Sequence, residues 1–182
     1  MASRHDEFLD AGTRIVGISI DSVGQNAAAV DMLDLPFPLL ADPDRSLAIE
    51  PFGVADPNDR RNLARPAMIL IDTGGNEAFR FVSRDYADRL PEDDVLETVL
   101  ASGLGSTTQP APTPGVPEPG RYAMALDDLP VYFRGARFAA QALGLRHKDL
   151  GEAFKEDSKA YVAEMDRYWE AVQALRRRLA EA

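Results

Sequence analysis

The stretch that most constrains the fold is Ala67-Met68-Ile69-Leu70-Ile71, followed by Asp72-Thr73-Gly74-Gly75-Asn76 and then Glu77 to Val82. An unbroken apolar run, a cluster of turn formers and an alternating apolar-polar run read as a β-hairpin spanning Arg65 to Val82. The first strand lacks alternation, so both of its faces are expected to be covered; the second alternates, as a half-exposed edge strand does. An internal first strand needs a neighbour on its other side. The source of that neighbour is the main question the sequence raises.

The rest of the composition narrows the function classes. With 45% hydrophobic residues over 182, the chain can build a sizeable core. No apolar run approaches the roughly 20 residues of a membrane helix, and the first residues have neither the basic start nor the apolar core of a signal peptide, so a cytoplasmic location is the expectation. A formal net charge of -10 argues against nucleic acid and anionic lipid as partners. There is no cysteine among the 182 residues, which removes disulfides, thiolate metal sites and thiol catalysis by this chain together. The two histidines, His5 and His147, are far apart in charged surroundings and read as ordinary surface residues.

In chain order, Met1 to Ala11 resembles the end of a helix, stopped by Gly12. Thr13 to Ile20 is rich in β-branched residues and predicts a buried strand. Ser22 and Gln25 have capping-box spacing ahead of a helix from about Val23 to Leu33. Leu35 to Leu40 is extended because each proline pushes its predecessor out of the α region. Asp42, as N-cap, and Pro43, at the first helical position, predict a short helix ending near Gly53. After polar loops on either side of the hairpin, Pro91 to Asp94 opens a helix with Val95, Leu96, Val99 and Leu100 on its apolar face.

Composition shifts to Gly, Ser, Thr and Pro from Gly103 to Gly120, a semi-extended linker. The domain reading is therefore 1–103, a linker at 104–121 and a helical hairpin or coiled-coil module at 122–182. Leu126 to Leu143 predicts one helix, with a start near Pro130 and a stop at Gly144. Lys148 to about Ala180 predicts a longer one. Along the second, Phe154, Ser158, Tyr161, Met165, Tyr168, Val172, Leu175 and Leu179 follow at alternating spacings of four and three. Because about 30 helical residues span about 45 Å, the stripe is expected to pack on a larger body or another subunit, the competing reading being a hairpin folded back on its own domain.

Three segments in order, Ile15 to Ser22, Leu35 to Asp44 and Arg65 to Asp72 with Gly75, resemble the peroxiredoxin (alkyl hydroperoxide reductase and thiol-specific antioxidant) branch of the thioredoxin-like superfamily, over residues 5–102. The resemblance implies an α/β, incomplete thioredoxin-like fold. In that family a strand and a loop bearing the peroxidatic cysteine precede the helix within which Met1 falls, so both are expected to be missing here. The resemblance places Pro66 where the family has a cis-proline, which would make Arg65 and Pro66 remnants of an active-site rim. The residues alone equally allow Pro66 simply to start an extended strand.

The family's absent strand would lie between Thr13–Ile20 and Ala67–Ile71. Unpaired buried backbone groups cost about 1 to 3 kcal/mol each, so the gap has to be closed. A partner chain or a second copy inserting a strand is the preferred closure, ahead of direct pairing or a fold-back of the linker, which its prolines disfavour. The interface candidates are Ile15, Ile18, Met68 and Leu70 in the first region and Tyr161, Met165, Tyr168, Val172 and Leu175 in the second. No catalytic, cofactor-binding or metal-binding residue is nominated, and no cofactor is expected.

The functional reading is a redoxin-like subunit acting in assembly or partner binding. The alternatives are a thiol-dependent peroxidase whose cysteine comes from a partner chain or from missing N-terminal sequence, and a purely structural coiled-coil adaptor. Gly17 to Asp21 resembles a nucleophile elbow only superficially, because Ser19 lies in a strand. Asp42 with Asp44, and Glu92 with Asp93 and Asp94, read as helix first-turn acids rather than cation sites.

Overall fold

The computed structural model describes residues 1–61 and 63–181. The chain divides into two compact units, 1–120 and 121–182. The first is mixed α/β and the second is a helical hairpin.

In the first unit, helix α1 (His5–Asp10) ends at Gly12, whose φ of +73° suits a residue without a side chain. Strand β1 (Gly17–Ser19) pairs in parallel with β2 (Leu39–Ala41). Helix α2 (Val23–Met32) lies between them in sequence and carries the expected capping box: the Ser22 hydroxyl accepts from Gln25 N–H, and the Gln25 side chain accepts from Ser22 N–H. Buried Asn26 ties the three together, its Nδ2 donating to Leu40 O at 3.0 Å and its Oδ1 accepting from Ser19 Oγ at 2.8 Å.

The hairpin forms as read. Strand β3 (Ala67–Ile71) pairs antiparallel with β4 (Glu77–Val82), with a bulge between Leu70 and Ile71. Asp72 organises the turn by accepting from the N–H groups of Gly74 and Asn76, both at 2.8 Å, and Gly75 sits at φ +83°. Helix α3 (Glu92–Ser102) closes the unit's core. Phe8 of α1 is 1% exposed and packs with Val95, Leu96 and Val99, flanked by Ile15, Met68 and Leu70.

Several expectations are corrected. The strand read over 13–20 is limited to Gly17–Ser19, because only there does a neighbouring strand supply hydrogen bonds. Strand β3 is half-buried rather than covered on both faces, since β4 is the one strand beside it among the described residues. The helix expected after Asp42 is instead a series of turns. Asp42 reaches past Pro43 to accept from the N–H groups of Leu47, Ala48 and Ile49, a geometry that needs Arg45 at φ +66°. Leu100 points away from the α3 core and is exposed. No peptide bond among the described residues is cis, so Arg65–Pro66 is trans. Pro66 takes the plainer of its two roles, starting the strand while its carbonyl accepts from Ser83 N–H at 2.8 Å.

In the second unit, α4 (Leu129–Arg146) packs against α5 (Glu152–Glu181). Gly144 does not stop α4. It lies inside the helix where a side chain would collide with Ser158, so its smallness serves the approach of α5, and the stop falls at His147 and Gly151. Neither histidine is a plain surface residue. His5 is half-buried with its ring 6.0 Å from Phe37, and His147 meets Phe154 edge-on at 6.2 Å.

The heptad stripe on α5 faces α4 within this hairpin. Met165 and Val172 are buried, Tyr168 lies 5.3 Å from Phe133 between ring centroids, and Ser158 donates to Ala140 O at 2.8 Å. The chain before α4 covers the far end of α5, where Asp127 pairs with Arg176 at 3.0 Å.

Candidate functional site

The two sheets of the first unit are separate: β1 pairs with β2 and β3 pairs with β4, and no described strand joins them. Between them is a cavity of about 260 Å³, walled by Ile15 and Val16 on the β1 side, by Met68 to Ile71 on the β3 side, and by Phe8 and Val99 on the floor. Sequence chemistry explains its position. The residues of Thr13 to Ile20 and Ala67 to Ile71 are apolar on two faces, which suits strands in the middle of a sheet, yet each strand has a neighbour on one side only.

Hydrogen-bond direction sharpens this. Gly17 N–H donates to Pro38 O at 2.9 Å and Ser19 O accepts from Asp42 N–H at 2.8 Å, so residues 17 and 19 address β2. The backbone groups of the alternate residue, Ile18, therefore point to the opposite edge. The same alternation holds for the outer edge of β3, whose inner edge is committed to β4.

The cavity's rim is polar and tied down. Arg14 donates to the carbonyl of Gln109, Thr107 N–H donates to Gly12 O at 2.9 Å, and Leu104, Gly105 and Thr107 border the opening. Asp72 stands at the β3 end. The Asn76 side chain, then Asn76 N–H and the turn amides of Gly74 and Gly75, outweigh partial burial and hold its carboxyl below the usual range. With Asp72 ionised and Arg14 also lining the cavity, its border carries both charges. Among the described residues no group of three or more His, Asp and Glu is placed to hold a metal ion.

The nominated residues separate clearly. Ile15, Met68 and Leu70 meet at the cavity and its core, while Ile18 is exposed beside it. Arg65 and Pro66 lie outside it: Arg65 N–H donates to Val54 O at 2.7 Å and its guanidinium to Gly53 O at 3.4 Å, tying the turns before β3 to the hairpin. Tyr161, Met165, Tyr168, Val172 and Leu175 belong to the second unit. The part of the site that sequence reasoning missed is its rim, since nothing local in Gly105 to Gln109 announces that it returns to Gly12 and Arg14.

The mixed α/β unit with this element order, matched over residues 1–76 by a family model, is of the thioredoxin-like class. Comparison with known proteins gives the branch. Residues 1–76 match the model of the AhpC/TSA family. A peroxiredoxin of Methanococcus maripaludis is 26% identical over 104 residues, which cover 54% of this chain and 46% of that protein. A peroxiredoxin of Methanocaldococcus jannaschii is 27% identical over the same length, again 54% and 46%. The chloroplastic 2-Cys peroxiredoxin BAS1 of Hordeum vulgare is 33% identical over 81 residues, 41% of this chain and 37% of that one. The N-terminal part of this chain is thus a peroxiredoxin-like, thioredoxin-fold segment, and the chain spans less than half the length of these curated relatives.

Proposed function

We propose that the chain is a redoxin-like subunit that works by binding a partner polypeptide, not by thiol chemistry of its own. One observation carries the reading: the cavity is bordered on one side by β3, which has no described strand on its edge away from β4, and on the other by the apolar residues Ile15 and Val16 that lead into β1. A strand entering there would find hydrogen-bond partners along β3 and a floor of Phe8 and Val99 for its side chains. This is strand addition, in which main-chain bonds give affinity and alternate side chains give register. The absence of cysteine from the 182 residues supports a binding role over peroxide reduction by this chain. A cytoplasmic location goes with the reading.

The test is the mass of the native complex and the identity of any chain that co-purifies, before and after Leu70→Lys. The reading expects a stoichiometric partner that Leu70→Lys releases while the hairpin's circular dichroism is retained. A wild-type chain that purifies alone, or turnover of hydroperoxide by the isolated chain with a thiol donor, would sink it.

A further inference from the structure

Helix α4 is apolar on two opposite faces, and α5 uses one of them. Phe133, Arg137, Ala140 and Gly144 turn toward α5 through contacts with Tyr168, Asp166 and Ser158. Away from α5 Val131 and Leu145 are 74% and 60% exposed, and Phe138, 61% exposed, lies at the border of that face, where it lines a small pocket with Met165, Asp166 and Trp169 of α5. Gly135 and Ala142 fall between them at spacings of four and three, and a side chain built at Gly135 would meet nothing within 4 Å. Large and small residues thus alternate along one bare seam with heptad spacing.

From this pattern we propose that α4 is the contact between two copies of the chain, packed antiparallel through this seam. The alternation chooses the direction. Antiparallel packing seats Phe138 over Gly135 of the second copy and Val131 over Ala142 of the second copy, these two large side chains filling the space beside small ones, while Leu145 meets Asp128 of the second copy at each end. Parallel packing would set Gly135 against Gly135 and Ala142 against Ala142, leaving gaps where dispersion contacts are lost.

Charge chooses the same direction. Between residues 129 and 146 there is no Asp or Glu. Asp128, at the N-cap, is the seam position one heptad before Gly135, and Arg146, in the last turn, lies next to Leu145 at the seam's other end. Antiparallel packing places Asp128 against Arg146 of the second copy at both ends, and it opposes the helix dipoles. Parallel packing would instead stack like charges at each end.

One face of a helix about 27 Å long buries less than the roughly 1,200 Å² of a standard interface. The dimer is therefore a weak, concentration-dependent one. This contact does not depend on the cavity in the first unit.

The experiment is sedimentation equilibrium of the full chain and five variants. Phe138→Lys and Gly135→Leu replace exposed residues with side chains the monomer accommodates. Both should keep helical circular dichroism and be monomeric. Asp128→Arg and Arg146→Asp should each weaken the dimer about tenfold, and the two together should restore it to within about threefold of wild type. A wild-type chain still monomeric at roughly 500 μM, a concentration at which a weak dimer is populated, overturns the proposal. So does a dimer that survives Phe138→Lys, a capture of some other protein through this face by a monomeric chain, or a double charge variant as weak as the single ones.

Discussion

Phe8 and Met165 are equally buried, each 1% exposed, but the surroundings that bury them differ. Phe8 is covered chiefly by residues from α3 and β3 that lie far away in sequence, and one side of its cluster opens on the cavity. Met165 is covered by α4, a helix only a short turn away, in a hairpin that has no such dependence on distant segments. The first unit is thus held by non-local contacts around an incompletely paired sheet, and the second by local ones. Non-local topologies close costly loops before contacts repay them, while local helical pairs form early and independently. The comparison teaches that the two units should unfold as separate events and respond to different insults.

The largest expected effect is that of Phe8→Ala. It should remove about 3 to 5 kcal/mol from the first unit, enough to unfold it at room temperature, while the helical signal of residues 129–181 persists in a urea titration. If both units were lost together, the division would be broken. Met165→Ala should cost about 2 to 3 kcal/mol, visible by calorimetry as a fall in one transition only, and that transition should keep its position in the Phe8 variant. Ser22→Ala, which removes the capping box of α2, should lower the first transition by about 1 kcal/mol and leave the hairpin unmoved.

The smallest effect at neutral pH, and a selective one in acid, comes from carboxylates. Asp42 is lowered although burial pushes the other way, because the amides of Ile49, Leu47 and Ala48 donate to it; Asp72 is lowered by Asn76 and its turn amides; Asp59 is lowered to about 2 by Arg61. A carboxyl with a lowered folded pKa contributes stability that is complete above its unfolded value of about 3.9 and is lost as pH falls through the folded one. The first unit should therefore melt at an unchanged temperature from pH 7 to about 5 and progressively lower below about 4. Asp42→Asn should flatten that acid limb, a result that calorimetry over a pH series would show.

What could be read from the sequence follows the same division of local from non-local. The 65–82 hairpin and the α2 cap were legible because turn residues, alternation and Ser-x-x-Gln spacing act within a few residues. The Asp42 turns were misread as a helix because Asp-Pro is a sound N-terminal signal, and nothing nearby shows the carboxylate skipping to Leu47, Ala48 and Ile49. Gly144 was read as a stop because a packing glycine and a capping glycine look alike without the helix that packs on it. The length of β1 depended on how far β2 runs beside it. On α4 the signal was present, since Val131, Gly135, Phe138, Ala142 and Leu145 have the rhythm counted on α5, but a glycine and an alanine hide a seam when only large residues are counted. Of the candidate site, the apolar walls were legible from Ile15, Met68 and Leu70. The rim was not.

That rim sets how a visitor can enter. Thr107 and Gln109 hold Gly12 and Arg14 from within the same polypeptide, at an effective concentration no free partner in dilute solution equals. A strand entering the cavity would first have to pass this segment, tied to Gly12 and Arg14 ahead of β1, and its apparent affinity would be its intrinsic one scaled by the fraction of time those bonds are open. At saturating partner the rate of association would then level off at the opening rate of the segment around Thr107, a property of the chain itself rather than of whatever arrives.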